Sequence, residues 1–171
     1  TGERRWQDTD RVLATILFTD ICDSTARAAA LGDARWRELL DDHDEIVKGK
    51  LAEFNGRLVK TTGDGMLATF DGPQRAIRCA HSLVAALGRL GIAVRAGLHV
   101  GEIELRDDDV GGIAVHMAAR VMDLASAGEV LVSSAVPPLV AGSGIRFESK
   151  GSHELKGIEG SWELYVVPAH R

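Results

Sequence analysis

The 171-residue chain is short of several things, and each shortage excludes something. It has two cysteines, Cys22 and Cys79, in no C-x-x-C pair and with no metal-ligand spacing. That argues against a disulfide scaffold and a thiolate zinc site, and points to a reducing compartment. It has four prolines and no low-complexity stretch, so neither a collagen-like chain nor a disordered tail is in view. No apolar run approaches the roughly 18–20 residues of a membrane span. The first residues, Thr1 to Trp6, carry no apolar core of the signal-peptide kind. There is no basic run, and the net charge is −5, which disfavours a nucleic-acid partner. Mild acidity does not exclude a phosphorylated ligand, because carboxylates hold the cations that phosphates bind. The hydrophobic share of 45% and the length suit one globular domain, residues 1–171, with a core over about 12–167. The chain begins at Thr1 without Met, and the expectation is a cytoplasmic module of a larger protein.

The elements follow from hydrophobic period and punctuation. Val12 to Thr19 is a nearly continuous apolar run, as in a strand buried on both faces. It ends at Asp20, and Ile21-Cys-Asp-Ser-Thr25 leads into a helix that Asp23 or Ser24 is placed to cap. Trp36, Leu39, Leu40, His43, Ile46, Val47, Leu51 and Phe54 recur at three and four, giving a long amphipathic helix from Asp33 to about Phe54. After Asn55-Gly56, Arg57–Thr62 and Met66–Phe70 flank Gly63-Asp64-Gly65 as a hairpin. Pro73 opens a helix to about Gly88. Ile92–Val100 reads as a strand, with Glu102–Leu105 pairing back on it, then a helix over about Ile113–Leu124. Short strands are expected at Glu129–Val132, Ile145–Phe147 and Glu163–Val167. This order predicts an α+β fold: a ferredoxin-like βαββαβ core with helices on one face of a mostly antiparallel sheet, plus a small appended strand–helix section.

Three groups of residues are candidates for chemistry. Asp20 closes the first strand and Asp64 sits at the hairpin tip, so two carboxylates from neighbouring backbone edges converge. Such a pair suits a divalent cation with polyphosphate, and the N–H groups of the Ile21–Thr25 turn suit phosphate oxygens. Taken singly, each also has a plain structural reading, as a helix cap and a tight turn. Lys60 and Asp109 form the second group; spacing alone leaves them a solvated strand residue and a solvated loop. His116 and Arg120 are four apart on one helix face after Gly111-Gly112, a possible phosphate clamp or a polar helix surface. His43 and His81 fall in helical patterns and are read as having no function, and His99 as half-buried in a strand. No Walker A, G-x-G-x-x-G, G-x-S-x-G or H-E-x-x-H pattern is present.

Four segments occur in order: Phe18-Thr-Asp20-Ile-x-x-Ser-Thr25, Lys60-Thr-Thr-Gly-Asp64-Gly, Gly97-Leu-His-Val-Gly101 and Asp109-x-x-Gly-x-x-Val-x-x-Ala-Ala-Arg120. Together they resemble the catalytic domain of class III nucleotidyl cyclases, over about residues 12–167. The resemblance implies that Asp20 and Asp64, with the Ile21 carbonyl, bind two metal ions per site, Mg²⁺ or Mn²⁺. It implies that Lys60 and Asp109 read the purine and that Arg120 stabilises the transition state. Ser24, Thr25, nearby N–H groups and Lys156 would meet the triphosphate. His116 stands where the family usually has a ribose-orienting asparagine, and the stretch from Gly101 to Asp109 is shorter than the dimerisation arm of many members. The implied activity is adenylate cyclase, making 3′,5′-cyclic AMP and pyrophosphate. A lysine donor and an aspartate acceptor complement adenine rather than guanine, so ATP is the expected partner. Composite sites at a head-to-tail homodimer and an additional regulatory domain are also implied. The alternatives are a weak or inactive cyclase homologue acting as a nucleotide-binding regulatory module and, more remotely, a diguanylate cyclase, whose Gly-Gly-[Asp/Glu]-Glu-Phe signature is missing.

Overall fold

The structure, a computed structural model, describes residues 10–169. The chain runs β1 (Arg11–Ile21), α1 (Ser24–Leu31), α2 (Asp33–Glu53), β2 (Arg57–Thr61), β3 (Gly65–Phe70), α3 (Pro73–Arg89), β4 (Val94–Arg106), β5 (Asp109–Gly111), α4 (Ile113–Asp123), β6 (Val130–Ser133), a 3₁₀ turn (Pro137–Val140), β7 (Glu148–Glu154) and β8 (Ser161–Val166). The sheet order is β2-β3-β1-β4-β6-β8-β7, with β5 paired to β4. The first four of these are the antiparallel ferredoxin-like core; β6 joins β4 in parallel, and β8 and β7 extend the sheet antiparallel. The α+β expectation therefore holds.

Strand β1 explains the layering. Successive strand residues point to opposite faces. Leu17 and Ile21 join a core with α2 and α3, including Val47, Ile77, Leu83 and Leu87. Ala14 and Ile16 join a second core with Ala114 and Ala118 of α4. The core's own helices thus share one face, as expected, while the appended α4 covers the other. Both faces of β1 are dry, which is why its sequence is a continuous apolar run. Each fully buried Ile or Leu there contributes about 1.5–3 kcal/mol of burial.

Two glycines let α4 lie directly on β4. A Cβ on Gly97 would sit 2.3 Å from the Met122 backbone nitrogen, and one on Gly101 would sit 2.8 Å from the Ala114 Cβ. On the other flank, a Cβ on Gly65 would lie 2.9 Å from the Asp20 Cα and overlap the Thr19 carbonyl oxygen. Glycine at these positions permits backbone approaches that no side chain would allow.

Three local expectations change. Glu102–Leu105 does not turn back; it continues β4, pairing with the start of β1, and β5 is the strand that returns. Ile145 and Phe147 pack against the core ahead of β7, which is the polar edge strand Glu148–Glu154. Sheet edges are commonly polar, so a search for apolar runs passes over them. Neither Asp23 nor Ser24 caps α1 with its side chain; Asp23 enters the helix in the left-handed region, at φ 55°. Ile113 is 65% exposed, whereas Met117 and Val121 are buried.

Candidate functional site

Asp20 and Asp64 are brought together by the backbone. Asp20 stands opposite Gly65 in the β1–β3 register, and the Ile21 N–H donates to the Asp64 carbonyl at 3.0 Å. The hairpin tip is therefore tied to the end of β1, and Gly65 makes the approach possible. Asp20 has the strand parity of Ile16 and Phe18, so it belongs to the α4 face.

The loop after β1 offers fewer donors than its sequence suggests. The Ile21 N–H is taken by Asp64 and the Cys22 N–H by the Ala93 carbonyl at 2.8 Å. Among the described residues, first-turn N–H groups without an acceptor therefore begin at Asp23, where a left-handed residue followed by helical Ser24 gives successive N–H groups a geometry suited to anions. Ser24 is half-buried and Thr25 exposed there. Burial, then the Asp20 charge, raises the pKa of the neighbouring Cys22 thiol.

Lys60 and Asp109, 49 residues apart, meet: the Lys60 ammonium donates to Asp109 Oδ2 at 3.1 Å, and both are about half exposed (49%). The Val110 N–H donates to Asp109 Oδ1 at 2.7 Å. That hydrogen bond, followed by the Lys60 hydrogen bond, holds the Asp109 carboxyl below its usual range. The β4–β5 ribbon thus carries an aspartate back to the edge strand β2.

On α4, His116 and Arg120 have different partners. His116 Nε2–H donates to the Lys156 carbonyl at 3.2 Å. Its ring lies close over Gly157, where an added Cβ would sit 2.9 Å from Nε2. One imidazole nitrogen is thereby spent on holding the Lys156–Gly157 turn, with Lys156 itself exposed. Arg120 Nη1 donates to Asp123 Oδ2 at 3.0 Å, and its Nε is buried without a partner among the described residues.

Two residues that the sequence reading passed over sit in the middle of this arrangement. Arg95, opposite Asp20 in the β1–β4 register, donates from Nε and Nη2 to the two Asp20 carboxylate oxygens at 2.7 and 3.1 Å. The hydrogen bond to Asp20 raises the Arg95 pKa further. Asp123 accepts from both Arg95, through its carbonyl, and Arg120. The available signal was Arg95 as the single formally charged residue in the run Val94–Val100.

Three other histidines have structural partners. His43 is buried and pairs with Asp44. His81 Nε2–H donates to the Val167 carbonyl at 2.8 Å. His99 shares a 2.6 Å hydrogen bond with Ser133 Oγ and meets Trp162 edge-on; burial pushes its pKa down to about 4. A cavity of about 400 Å³ between α3 and the Val167 strand end contains none of the candidate residues. Asp109 borders a larger concavity of about 650 Å³.

Among the described residues, no three His, Cys, Asp or Glu side chains gather closely enough to hold a metal by themselves. The Asp20 and Asp64 carboxylates and the Ile21 carbonyl would offer hard oxygen ligands. That set suits Mg²⁺ or Mn²⁺, which complete their shells from water and phosphate, and does not suit a closed zinc site.

A ferredoxin-like sheet with paired aspartates at one strand end, and an edge-strand lysine met by an aspartate from a curled ribbon, defines a nucleotidyl-cyclase type of domain. The sequence matches the adenylate and guanylate cyclase catalytic domain over residues 6–169, and the chain belongs to that family. It is 35% identical over 135 residues to "Putative adenylate cyclase 3" of Rhizobium meliloti, covering 74% of this chain and 22% of that protein. It is 31% identical over 157 residues to an uncharacterized Mycobacterium tuberculosis protein, Rv0891c, covering 84% and 52%. The matched part is thus between about a fifth and a half of these relatives' length. Among solved structures, the adenylyl cyclase CyaB from P. aeruginosa has the same fold (TM-score 0.87, 21% identity, 96% of this chain and 97% of that one). The adenylate/guanylate cyclase/hydrolase from Silicibacter pomeroyi superposes with TM-score 0.84 at 29% identity, over 95% and 100%. No helix among the described residues is long and apolar enough to cross a membrane.

Proposed function

We propose that the chain is an adenylate cyclase catalytic domain that converts ATP to 3′,5′-cyclic AMP and pyrophosphate. The observation that carries the choice of ATP is the Lys60–Asp109 pair at 3.1 Å. A fixed donor beside a fixed acceptor matches adenine N1 and N6; guanine inverts the pattern and leaves unpaired groups at about 1–3 kcal/mol each. Asp20, Asp64 and the Ile21 carbonyl would hold two divalent cations, Mg²⁺ or Mn²⁺, which when bound make the ribose 3′-hydroxyl a better nucleophile and screen the triphosphate. The N–H groups from Asp23 onward, with Ser24, Thr25 and Lys156, receive phosphate oxygens. Arg120 stabilises charge on the phosphate in transfer, so the protein's work is positioning and electrostatics.

The sites are proposed to be composite, in a head-to-tail homodimer. One protomer supplies Asp20 and Asp64; the other supplies Lys60, Asp109, His116 and Arg120. The exposure of Ile113 at the first turn of α4 supports a partner there. Because the chain spans a fraction of its relatives' length, we also propose that it works within a larger protein with a regulatory part, in the cytoplasm. The unpaired Cys22 and Cys79 fit that setting.

A second reading, a nucleotide-binding regulatory module with weak chemistry, draws on His116, whose Nε2 is engaged by Lys156 rather than free for a ribose. The test is incubation with ATP or GTP in Mg²⁺ or Mn²⁺ and chromatography of the products. Cyclic AMP formed in preference to cyclic GMP supports the first reading; nucleotide binding without product in either metal supports the second. Mixing inactive Asp20→Ala and Arg120→Ala proteins should restore part of the activity through one intact composite site. No recovery at any concentration ratio would refute the shared-site arrangement.

A further inference from the structure

Four charged residues of alternating sign connect the end of β1 with the last turn of α4. Arg95 spends Nε and Nη2 on the two oxygens of Asp20, and its Nη1 donates to the Asp123 carbonyl at 3.0 Å. The Asp123 carboxylate lies between two guanidiniums, with Oδ1 3.9 Å from Arg95 Nη2 and Oδ2 3.0 Å from Arg120 Nη1. Arg95 is 26% exposed and Asp20 21%, so neither charge is fully screened by water. Among the described residues, the ionic partners of Arg95 are Asp20 from β1 and Asp123 from α4.

We propose that Asp123 is a shared counter-ion that links cation capture at Asp20 to the release of Arg120. This rests on the reading of Asp20 as a metal ligand and Arg120 as a phosphate-facing residue. In the arrangement described, Arg95 occupies the carboxylate that the cation needs. A divalent cation competes for those oxygens and leaves the Arg95 fork without its partner. The nearest anion recorded for that fork is the Asp123 carboxylate, already within 4 Å. As Asp123 turns to Arg95 it gives up Arg120, whose guanidinium becomes available to an anionic substrate. The linkage is reciprocal: phosphate on Arg120 frees Asp123 for Arg95 and eases cation entry at Asp20. In a homodimer with composite sites, Asp20 and Arg120 of one chain serve different sites. Loading one site therefore prepares the arginine of the other. In this scheme Arg95 and Asp123 act through Asp20 and Arg120.

The test uses the chain labelled with ¹⁵N-arginine, in Mg²⁺ titrations without nucleotide. The Arg95 Nε–H, which donates to Asp20, and the Arg120 Nε–H are separate reporters, assigned with Arg95→Lys and Arg120→Lys. Both resonances should shift along one saturation curve, and Asp20→Asn should abolish both responses. In Asp123→Asn the Arg95 signal should still respond while Arg120 stays fixed. By calorimetry with Mn²⁺, Arg95→Gln should tighten binding about tenfold, because a competing cation is gone, a factor within the usual range of coupling between sites. Asp20-dependent binding with an unmoved Arg95, or Arg120 still following Mg²⁺ in Asp123→Asn, overturns the linkage and leaves the metal reading standing. No binding that depends on Asp20 overturns both.

Discussion

Replacing Gly97 with alanine tests whether the seat of α4 sets the active geometry. The new Cβ would lie 2.3 Å from the Met122 nitrogen and 2.5 Å from its Cα, so helix and strand must separate by about 1 Å to reach ordinary contact. These are backbone atoms, and no rotamer change relieves them. Overpacking of this kind costs about 1–3 kcal/mol. The lower entropy of an unfolded alanine returns about 0.4–1 kcal/mol. The net loss of about 1–2 kcal/mol should lower Tm by about 3–6 °C in a domain of this size. Met122 lies beside Asp123 and two residues from Arg120, so the same displacement moves both. Misplacement by about 1 Å can cost about 10²-fold in rate. Gly49→Ala is the control: nothing lies within 4 Å of its added Cβ, it is inside α2, and it should gain about 1 kcal/mol. Circular-dichroism melting and cyclic-nucleotide production, measured on both variants, give the two numbers. Full turnover by Gly97→Ala at unchanged Tm would refute the close seat. A fall in Tm with intact turnover would show that α4 does not position the chemistry.

Three further outcomes follow from the site and its surroundings. The folded pKa of His99, about 4, lies below its unfolded value near 6.5. The unfolded state therefore takes up the proton first, and stability should fall as pH drops from about 6.5 towards 4, by up to a few kcal/mol. Urea titrations at several pH values should show a shallower acid slope for His99→Asn over that window, and an identical slope would contradict the burial argument. Lys60→Met removes the proposed donor to adenine N1 and should reduce the ATP-over-GTP ratio of kcat/KM by about tenfold, in line with about 1–3 kcal/mol for one lost partner; an unchanged ratio would remove Lys60 from base selection. The Cys79 thiol is pushed up to about 12 by burial, while Cys22 is half-buried. Alkylation at neutral pH should thus label Cys22 slowly in the native chain and both thiols after unfolding, with mass spectrometry locating the adducts.

The order of the core elements was readable because its signals are local. Asn55-Gly56, Gly63-Asp64-Gly65 and Pro73 mark real turns and a real helix start, and the three-four spacing of α2 includes its buried His43, Val47 and Leu51. The misreading of β4 came from Gly101, which looks like a turn residue yet is a seat for Ala114 in mid-strand. A glycine required by a neighbouring helix cannot be told from a turn glycine by the chain alone. The Asp20 and Asp64 juxtaposition was legible from strand order. The Lys60–Asp109 contact was implied by family resemblance and not by spacing, because it depends on how the β4–β5 ribbon curls. Arg95 was missed because its importance lies in cross-strand register. The partner of His116 was missed because it is a backbone carbonyl 40 residues away.

The direct stacking of α4 on β4, with glycine where padding side chains would normally be, also has a mechanical side. Two elements separated by a cushion of flexible side chains can tilt against each other by repacking that cushion. At Gly97 and Gly101 that cushion is missing, and at those two points α4 has no soft layer in which to rock. A signal arriving from elsewhere in a longer polypeptide would then be passed on by moving strand and helix as one piece, pivoting where the chain enters and leaves that piece.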